Sequence, residues 1–280
     1  MSCYLCGENS FTKRPGIVRD NKNLDVLECS SCGLVFLSSF SHINDAYYED
    51  SGMHEVGVDV EVWRNQTAQD DERRFLFLQR MLENRSVLDF GCGNGGFLKR
   101  ARSIARNAMG VELEKRLQPY FLREGLKVFQ KHEEITDSFD VISLFHVLEH
   151  IPDPIELLKA LSEKLSADGQ IVIEVPNAND ALLCLYQSKA FSHFTYWGCH
   201  LFLFTNSTIG QLVRKAGLKV NYIKQVQRYP LSNHLYWLAK EKPGGHREWA
   251  FLDSMELRSA YENSLASIGA CDTILASISK

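Results

Sequence analysis

The chain has 280 residues, 45% of them hydrophobic and 24% charged, with a formal net charge of −4. That is enough for one large domain, or one domain with appendages, of ordinary soluble composition. The acidic balance gives no general affinity for nucleic acid or anionic membrane, and runs such as FDVISLFHVL are far shorter than the roughly 20 apolar residues that span a bilayer.

The start, MSCYLCGENS, lacks the basic-then-apolar pattern of a secretory signal, so a cytoplasmic location is expected. Eight cysteines then favour metal ligation or free thiols over disulfides. CYLCG at Cys3–Gly7 and CSSCG at Cys29–Gly33 make two CxxC pairs separated by 22 residues. Each pair sets two thiolates on one side of an ion, and the glycine after it lets backbone amides approach the sulfurs. Cys3, Cys6, Cys29 and Cys32 are therefore the expected ligands of a structural Zn2+, with every position filled by protein. A segment of about 35 residues has too little core to fold without such a staple. Between the pairs, IVRDNKNLDVLEC reads as two short strands around a turn at DNKN. Residues 1–40 form this module.

Residues 41–85 connect it to the rest. DVEVWRNQTAQDDERRFLFLQRMLENR has helical periodicity, with Trp63, Phe75, Leu78 and Leu82 on an apolar face. It is either a linker helix or a lid that brings Tyr47, Tyr48 or Arg64 to a ligand.

SVLDFGCGNGGFLKRARSI follows: a short buried strand, a glycine-rich turn and the start of a helix. This opens a doubly wound α/β fold, in which ligands bind outside the carboxyl ends of the strands. Asp89 stands two residues before the first glycine, and no lysine marks a phosphate-binding loop. A second strand, NAMGVEL, brings Glu112 about 20 residues on, where an acid can accept from both ribose hydroxyls. Further along come FDVISLFHVLEHIPDP, the helix PDPIELLKALSEKLSADG, the strand GQIVIEVPN and HLFLFTNSTIGQLVRKAGLKV.

These blocks, in this order, resemble the class I S-adenosylmethionine-dependent methyltransferases. VLDFGCGNGGFL resembles the family's first motif, with Asp89, Gly91, Gly93 and Gly95 at its defining positions. The resemblance implies that this loop carries the amino-acid half of S-adenosylmethionine and that Glu112 binds the ribose; Leu113, Phe145 and, on the lid reading, Tyr48 and Arg64 are further expected cofactor contacts. It covers nearly residues 3–228 and includes a subgroup with the VLEH signature and an N-terminal CxxC…CxxC, notably sugar C-methyltransferases of nucleotide-sugar pathways. It implies a Rossmann-like seven-stranded sheet with strands near 86–90, 107–112, 126–129, 139–145, 170–175 and 218–226. DTILASIS would be the seventh strand, antiparallel and next to the sixth. Residues 86–280 then form the methyltransferase domain, with acceptor-side insertions at 178–205 and 229–271; the second reads as loop-rich RYPLSNHLYWLAKEKPGGHREWAF followed by a helix.

Methyl transfer from a sulfonium needs the nucleophile in line with the methyl carbon, and an oxygen or nitrogen acceptor must lose a proton. The candidate bases are His146, Glu149, His150, His200, His234 and His246. His146 follows Phe145 at the end of the fourth strand. Glu149 and His150 lie one turn on, as a helix cap or, as in a related quinone-biosynthesis subgroup, as ligands of a divalent ion. In sugar C-methyltransferases the segment matching TYWGCHLFLFT carries an acid before the histidine. Here Cys199 replaces that acid and Trp197 a tyrosine, so a heteroatom acceptor is expected over carbon. His200 is then a base facing the acceptor, or a core histidine ahead of LFLF. The expected acceptor contacts are Tyr196, Trp197, Asn233, His234 and His246. The expected partner is a small molecule of sugar or nucleotide-sugar type, with no nucleic acid and no membrane insertion. The aromatics of 186–204 also suit a core or a homodimer face. A nicotinamide enzyme, a nucleic-acid methyltransferase and a non-catalytic zinc-bearing binding module are the rival readings.

Overall fold

The computed structural model describes residues 1–43 and 59–280; Tyr47 and Tyr48 lie outside the described residues. The N-terminal segment forms three antiparallel strands, β1 (Phe11–Lys13), β2 (Val26–Cys29) and β3 (Val35–Leu37). The expected pair of strands around DNKN is not formed: the chain from Arg14 to Leu24 is turn and loop. Pro15 and Gly16 end the first strand early. Gly16 has φ of +130° and lies under the ring of Tyr196, where a Cβ would come within 2.7 Å of a ring carbon.

Helix α1 (Val60–Leu82) starts at Asp59, whose carboxylate accepts from the amides of Glu61 and Val62. Leu78 and Leu82 are buried, with Trp63 and Phe75 packed beside them, as the periodicity predicts. There follow β4 (Ser86–Phe90), α2 (Gly96–Ala101), β5 (Asn107–Val111), α3 (Gln118–Arg123), β6 (Val128–Phe129) and β7 (Phe139–Phe145). Next are α4 (Pro154–Glu163), β8 (Leu165–Pro176), α5 (Lys189–Thr195), β9 (Phe202–Leu203), α6 (Asn206–Lys215) and β10 (Lys219–Val226). The chain closes with α7 (Leu231–Lys240), α8 (Met255–Ser267) and β11 (Thr273–Ser279).

Seven strands form one sheet in the order β10-β11-β8-β7-β4-β5-β6. Strands β4 to β8 are parallel, and β11 runs antiparallel between β8 and β10, so the α/β fold class and the seventh strand are as expected. Two details differ. The SADG stretch, read as the end of a helix, belongs to β8: Leu165 pairs with Phe139, and a register shift follows before Gln170 pairs with Val141. The loop-rich RYPLSNHLYWLAK is largely helix α7, because Asn233, His234, Tyr236 and Trp237 all bury on one side.

Parallel strands are covered on both faces. On one face α1, α2 and α3 supply Leu78, Leu98 and Phe121 to a core that includes Val87 and Val141. On the other, Leu158 and Leu212 join Leu88, Ile142, Leu144 and Ile173 in a core that continues without a break into Leu5, Val18, Leu34 and Phe36 of the N-terminal module. Each fully buried Leu or Phe contributes about 1.5–3 kcal/mol. The module is also stitched in by hydrogen bonds: β3 pairs antiparallel with β9, Phe36 opposite Phe202. Among the described residues, no helix is long and apolar enough to cross a membrane.

Candidate active site

The parallel strands end along one edge of the sheet, over a cleft of about 630 Å³. At one end the chain leaves β4 through Gly91, Cys92 and Gly93. Gly91 has φ of +71°, and a Cβ there would meet Val147 at 2.4 Å; Gly93 has φ of +52° and approaches the Trp63 ring. These two glycines let the backbone line the cavity. Gly95 does not line it. It caps α2 in the left-handed conformation, where a Cβ would press on Leu126. Asp89 is buried, its Oδ1 accepting from Ser143 Oγ at 2.7 Å, and burial pushes its carboxyl up to about 7. Glu112, at the end of β5, accepts from the amides of Gly93 (2.8 Å) and Glu114 (3.0 Å); burial raises its pKa. Leu113 and Phe145 also line the cleft, and Phe145 has the Arg74 guanidinium over its face at 4.7 Å. Arg64 is elsewhere: it pairs with Glu61 and lines a separate cavity with Lys99 and Arg100.

The other end gathers His146, Glu149, His150, Trp197, His200 and Arg228. His146 leaves β7 with φ of +56°, a turn that few residues other than glycine adopt. Arg228 donates to its Nε2 at 2.9 Å, so its proton is on Nδ1, 3.2 Å from Glu149 Oε1. Glu149 is fully buried. Burial pushes its pKa up, but the His146 hydrogen bond and the neighbouring imidazoles outweigh this and hold it below the usual carboxylate range. Its Oε2 has no hydrogen-bond partner among the described residues. His150 donates from Nδ1 to the Cys199 carbonyl at 2.9 Å. His200 packs its ring 4.9 Å from that of His150 and 5.6 Å from Trp197, and its Nδ1 is buried with no partner among the described residues. Burial, with the neighbouring His150, lowers its pKa to about 3, so the ring is neutral near pH 7.

Behind this end lies a charge network that the sequence did not announce. Glu174, fully buried at the end of β8, accepts from Arg73 (2.9 Å) and Arg74 (2.6 Å). Asp70 holds Arg228 through both carboxylate oxygens. These residues anchor α1 across the strand ends and orient Arg228.

The remaining expected acceptor residues lie outside the cleft. Tyr196 is buried against Gly16 of the module. His234 accepts from Gln227 at Nε2 (3.2 Å) and meets the Tyr261 hydroxyl at 2.7 Å, while His246 sits 3.3 Å from Asn233. All three pack the helical insertion. Of the aromatic stretch, Leu201, Phe202, Leu203 and Phe204 are core, as expected, and Cys199 is buried with its thiol pKa raised by burial.

The four cysteines of the module meet as their spacing predicts. Sγ of Cys3 lies 3.6 Å from that of Cys32, and Sγ of Cys6 lies 3.5 Å from that of Cys29. All four sulfurs fall within 4.8 Å of one another. Tetrahedral Zn–S bonds of about 2.3 Å place sulfurs about 3.8 Å apart, close to the two short separations, so the four thiols form a donor set of the size and chemistry that suits Zn2+. Gly7 and Gly33 turn at φ of +82° and +77°. Burial raises the Cys29 thiol, but the Ser31 and Cys32 amides aimed at the sulfur bring it down to about 7.

Residues 62–223 match a family model described as a methyltransferase domain. Among curated proteins, the ubiquinone biosynthesis O-methyltransferase of Pseudomonas fluorescens is 27% identical over 175 residues, which cover 57% of this chain and 75% of that protein. The protein of the same name from Pseudomonas putida strain W619 is 29% identical over 169 residues, covering 55% and 72%. Two solved structures share the fold. An S-adenosylmethionine-dependent methyltransferase from Archaeoglobus fulgidus superposes with a TM-score of 0.53 at 19% identity, over 80% of this chain and all of that one. Coclaurine N-methyltransferase bound to N-methylheliamine and S-adenosylhomocysteine superposes with a TM-score of 0.56 at 15% identity, over 83% and 81%.

Proposed function

The chain belongs to the methyltransferase-domain family and is an S-adenosylmethionine-dependent methyltransferase acting on a small molecule; from that premise we propose that its acceptor atom is a hydroxyl oxygen of a polar, sugar-type molecule. The observation that carries the proposal is that His200 and Glu149, both lining the cleft beyond the end of β7, each keep one buried acceptor atom, His200 Nδ1 and Glu149 Oε2, without a hydrogen-bond partner among the described residues. Hydrogen-bonding groups ring that end, with Trp197 as one flat face, an arrangement suited to a hydroxylated ring.

The cofactor supplies an electrophilic methyl group on a sulfonium. Asp89, Gly91, Gly93 and Glu112, which line the cleft at the ends of β4 and β5, would hold its amino-acid and ribose parts. His146 is already engaged at both ring nitrogens, by Arg228 and Glu149, so it orients Glu149 and does not take the acceptor proton. His200 is neutral and accepts a hydrogen bond from the acceptor hydroxyl. As the new O–CH3 bond forms and the S–CH3 bond breaks, the hydroxyl proton becomes strongly acidic. A base as weak as His200 then suffices to receive it, and S-adenosylhomocysteine leaves. Removing a proton from carbon before methyl transfer needs a much stronger base. This weighs against C-methylation, in line with the Cys199 replacement.

The Zn2+ that Cys3, Cys6, Cys29 and Cys32 would hold is structural, since no coordination position is left for substrate. A phenolic acceptor is the second reading, favoured by the names of the curated relatives. A panel of nucleotide sugars and catechols, followed by methyl transfer from labelled S-adenosylmethionine, separates the two. Methylation confined to catechols overturns the sugar-type reading, and retention of full turnover by His200→Asn overturns the role of His200.

A further inference from the structure

The stretch that carries Trp197 and His200 is held between two surfaces. On one side it touches the catalytic turn: the Leu201 amide donates to the Glu149 carbonyl at 2.8 Å, and His150 donates to the Cys199 carbonyl. On the other side, the anchors found among the described residues come from the N-terminal module and, at His42, from the first residues of the connector. The Arg19 amide donates to the Tyr196 carbonyl at 3.0 Å, and its guanidinium donates to the Phe194 carbonyl at 3.2 Å. That guanidinium also lies 4.2 Å from the centre of the Trp197 ring. Asp20 accepts from the Gly198 amide at 2.7 Å, and a Cβ on Gly198 would lie 2.9 Å from the Asp20 carboxylate. His42 Nε2 meets the Gly198 carbonyl at 2.7 Å, and the Leu37 amide donates to the Leu201 carbonyl at 3.0 Å.

The two bonds to Gly198, together with the ring contact at Trp197, fix the backbone immediately before His200. Among the described residues, those lining the cleft near the glycine loop and Glu112 come from β4, β5, β7, α1 and the loops that follow the strands, and none from residues 1–40.

We propose that Arg19 and Asp20 are positioning residues of the acceptor site, and that the cysteine-bound module is the mould that sets Trp197 and His200 against Glu149 while leaving cofactor binding untouched. The inference rests on the assignment of Trp197 and His200 to the acceptor. Its distinctive content is the division of labour: disturbing the module loosens one wall of the cleft and not the other.

The test uses the full chain and the variants Arg19→Ala, Asp20→Ala and Asp20→Asn. Two readouts need no acceptor: affinity for S-adenosylhomocysteine by calorimetry, and amide exchange over residues 197–201. In Asp20→Ala, exchange over 197–201 is expected to rise on the order of tenfold, as expected for loss of one hydrogen bond, with S-adenosylhomocysteine affinity within twofold of the parent. Asp20→Asn keeps an acceptor oxygen for the Gly198 amide and restores protection. With UDP-glucose as acceptor, or catechol if the phenolic reading holds, Arg19→Ala and Asp20→Ala raise KM or lower kcat at unchanged cofactor affinity.

Parent-like exchange over 197–201 in both alanine variants overturns the proposal. So does a loss of S-adenosylhomocysteine affinity that parallels the loss of turnover. If Trp197→Ala and His200→Asn keep full turnover, the acceptor-site assignment itself has failed. If those two lose turnover while the Arg19 and Asp20 variants do not, only the positioning role has failed.

Discussion

At the end of the cleft assigned above to the cofactor, the lining comes largely from backbone of one short stretch of chain. Gly91 and Gly93 line the cavity because they follow β4, and Glu112 reaches it because β5 lies beside β4 in the sheet. The acceptor end is assembled from side chains that are far apart in sequence. Asp70 comes from α1, Glu149 from the turn after β7, His200 from before β9 and Arg228 from after β10, with Arg19 and Asp20 of the module holding the backbone and ring just before His200. A local motif can build the first kind of site; the second exists only when the whole fold is in place.

Substitutions should separate the two ends. The largest effect is expected for His200→Asn: kcat falls about 100-fold or more, the low end of a general-base contribution, with S-adenosylhomocysteine affinity unchanged by calorimetry. Equal loss of both would erase the distinction between the ends. Phe202→Ala removes a fully buried ring that contacts Tyr4, Phe40 and Phe204. It should cost about 3–5 kcal/mol in urea unfolding, and the acceptor wall should lose order along with the module.

Glu112→Ala should weaken S-adenosylhomocysteine by roughly 10- to 100-fold, the loss of one or two charge-assisted hydrogen bonds. Amide exchange over 197–201 should not change. The smallest effect is one of pH. His200 and His234 are held neutral by burial, with pKa values of about 3 and about 4 against 6.5 in the unfolded chain. Below pH 6.5 the unfolded chain therefore binds protons that the folded chain does not, and stability falls as pH drops from 6.5 toward 4. Each histidine contributes up to about 1.4 kcal/mol per pH unit in that window. Unfolding followed from pH 7 to pH 5 should show a shallower decline in His234→Asn than in the parent.

The difference between the two ends also explains what the sequence disclosed. Asp89, Gly91, Gly93 and Glu112 were legible because a strand, a tight turn and a second strand follow one another within about 25 residues, each with its own composition. The cysteine cluster was legible for the same reason. The salt-bridge network was not. Asp70, Arg73 and Arg74 sit in QDDERR, which reads as the solvated face of a helix, yet α1 turns Arg74 inward because Glu174 is buried at the end of β8 beneath it. Nothing local to QDDERR reveals that partner. Asn233, His234 and His246 misled in the opposite sense: their polar character suggested a ligand, but Gln227 and Tyr261 satisfy His234 inside the insertion. Tyr196 likewise serves the joint with Gly16 and not the cavity.

The pairing of β3 with β9 carries a consequence for how the chain is made. Phe36 finds its partner strand only when Phe202 has been synthesised, roughly 10–30 s later at ~5–20 residues per second. During that interval the module has the β3 edge bare and lacks the apolar cover that Phe202 and its neighbours later provide. An ion held by the four thiolates needs no residue beyond Cys32. It would keep the nascent module folded until the rest of the protein arrives to claim that edge.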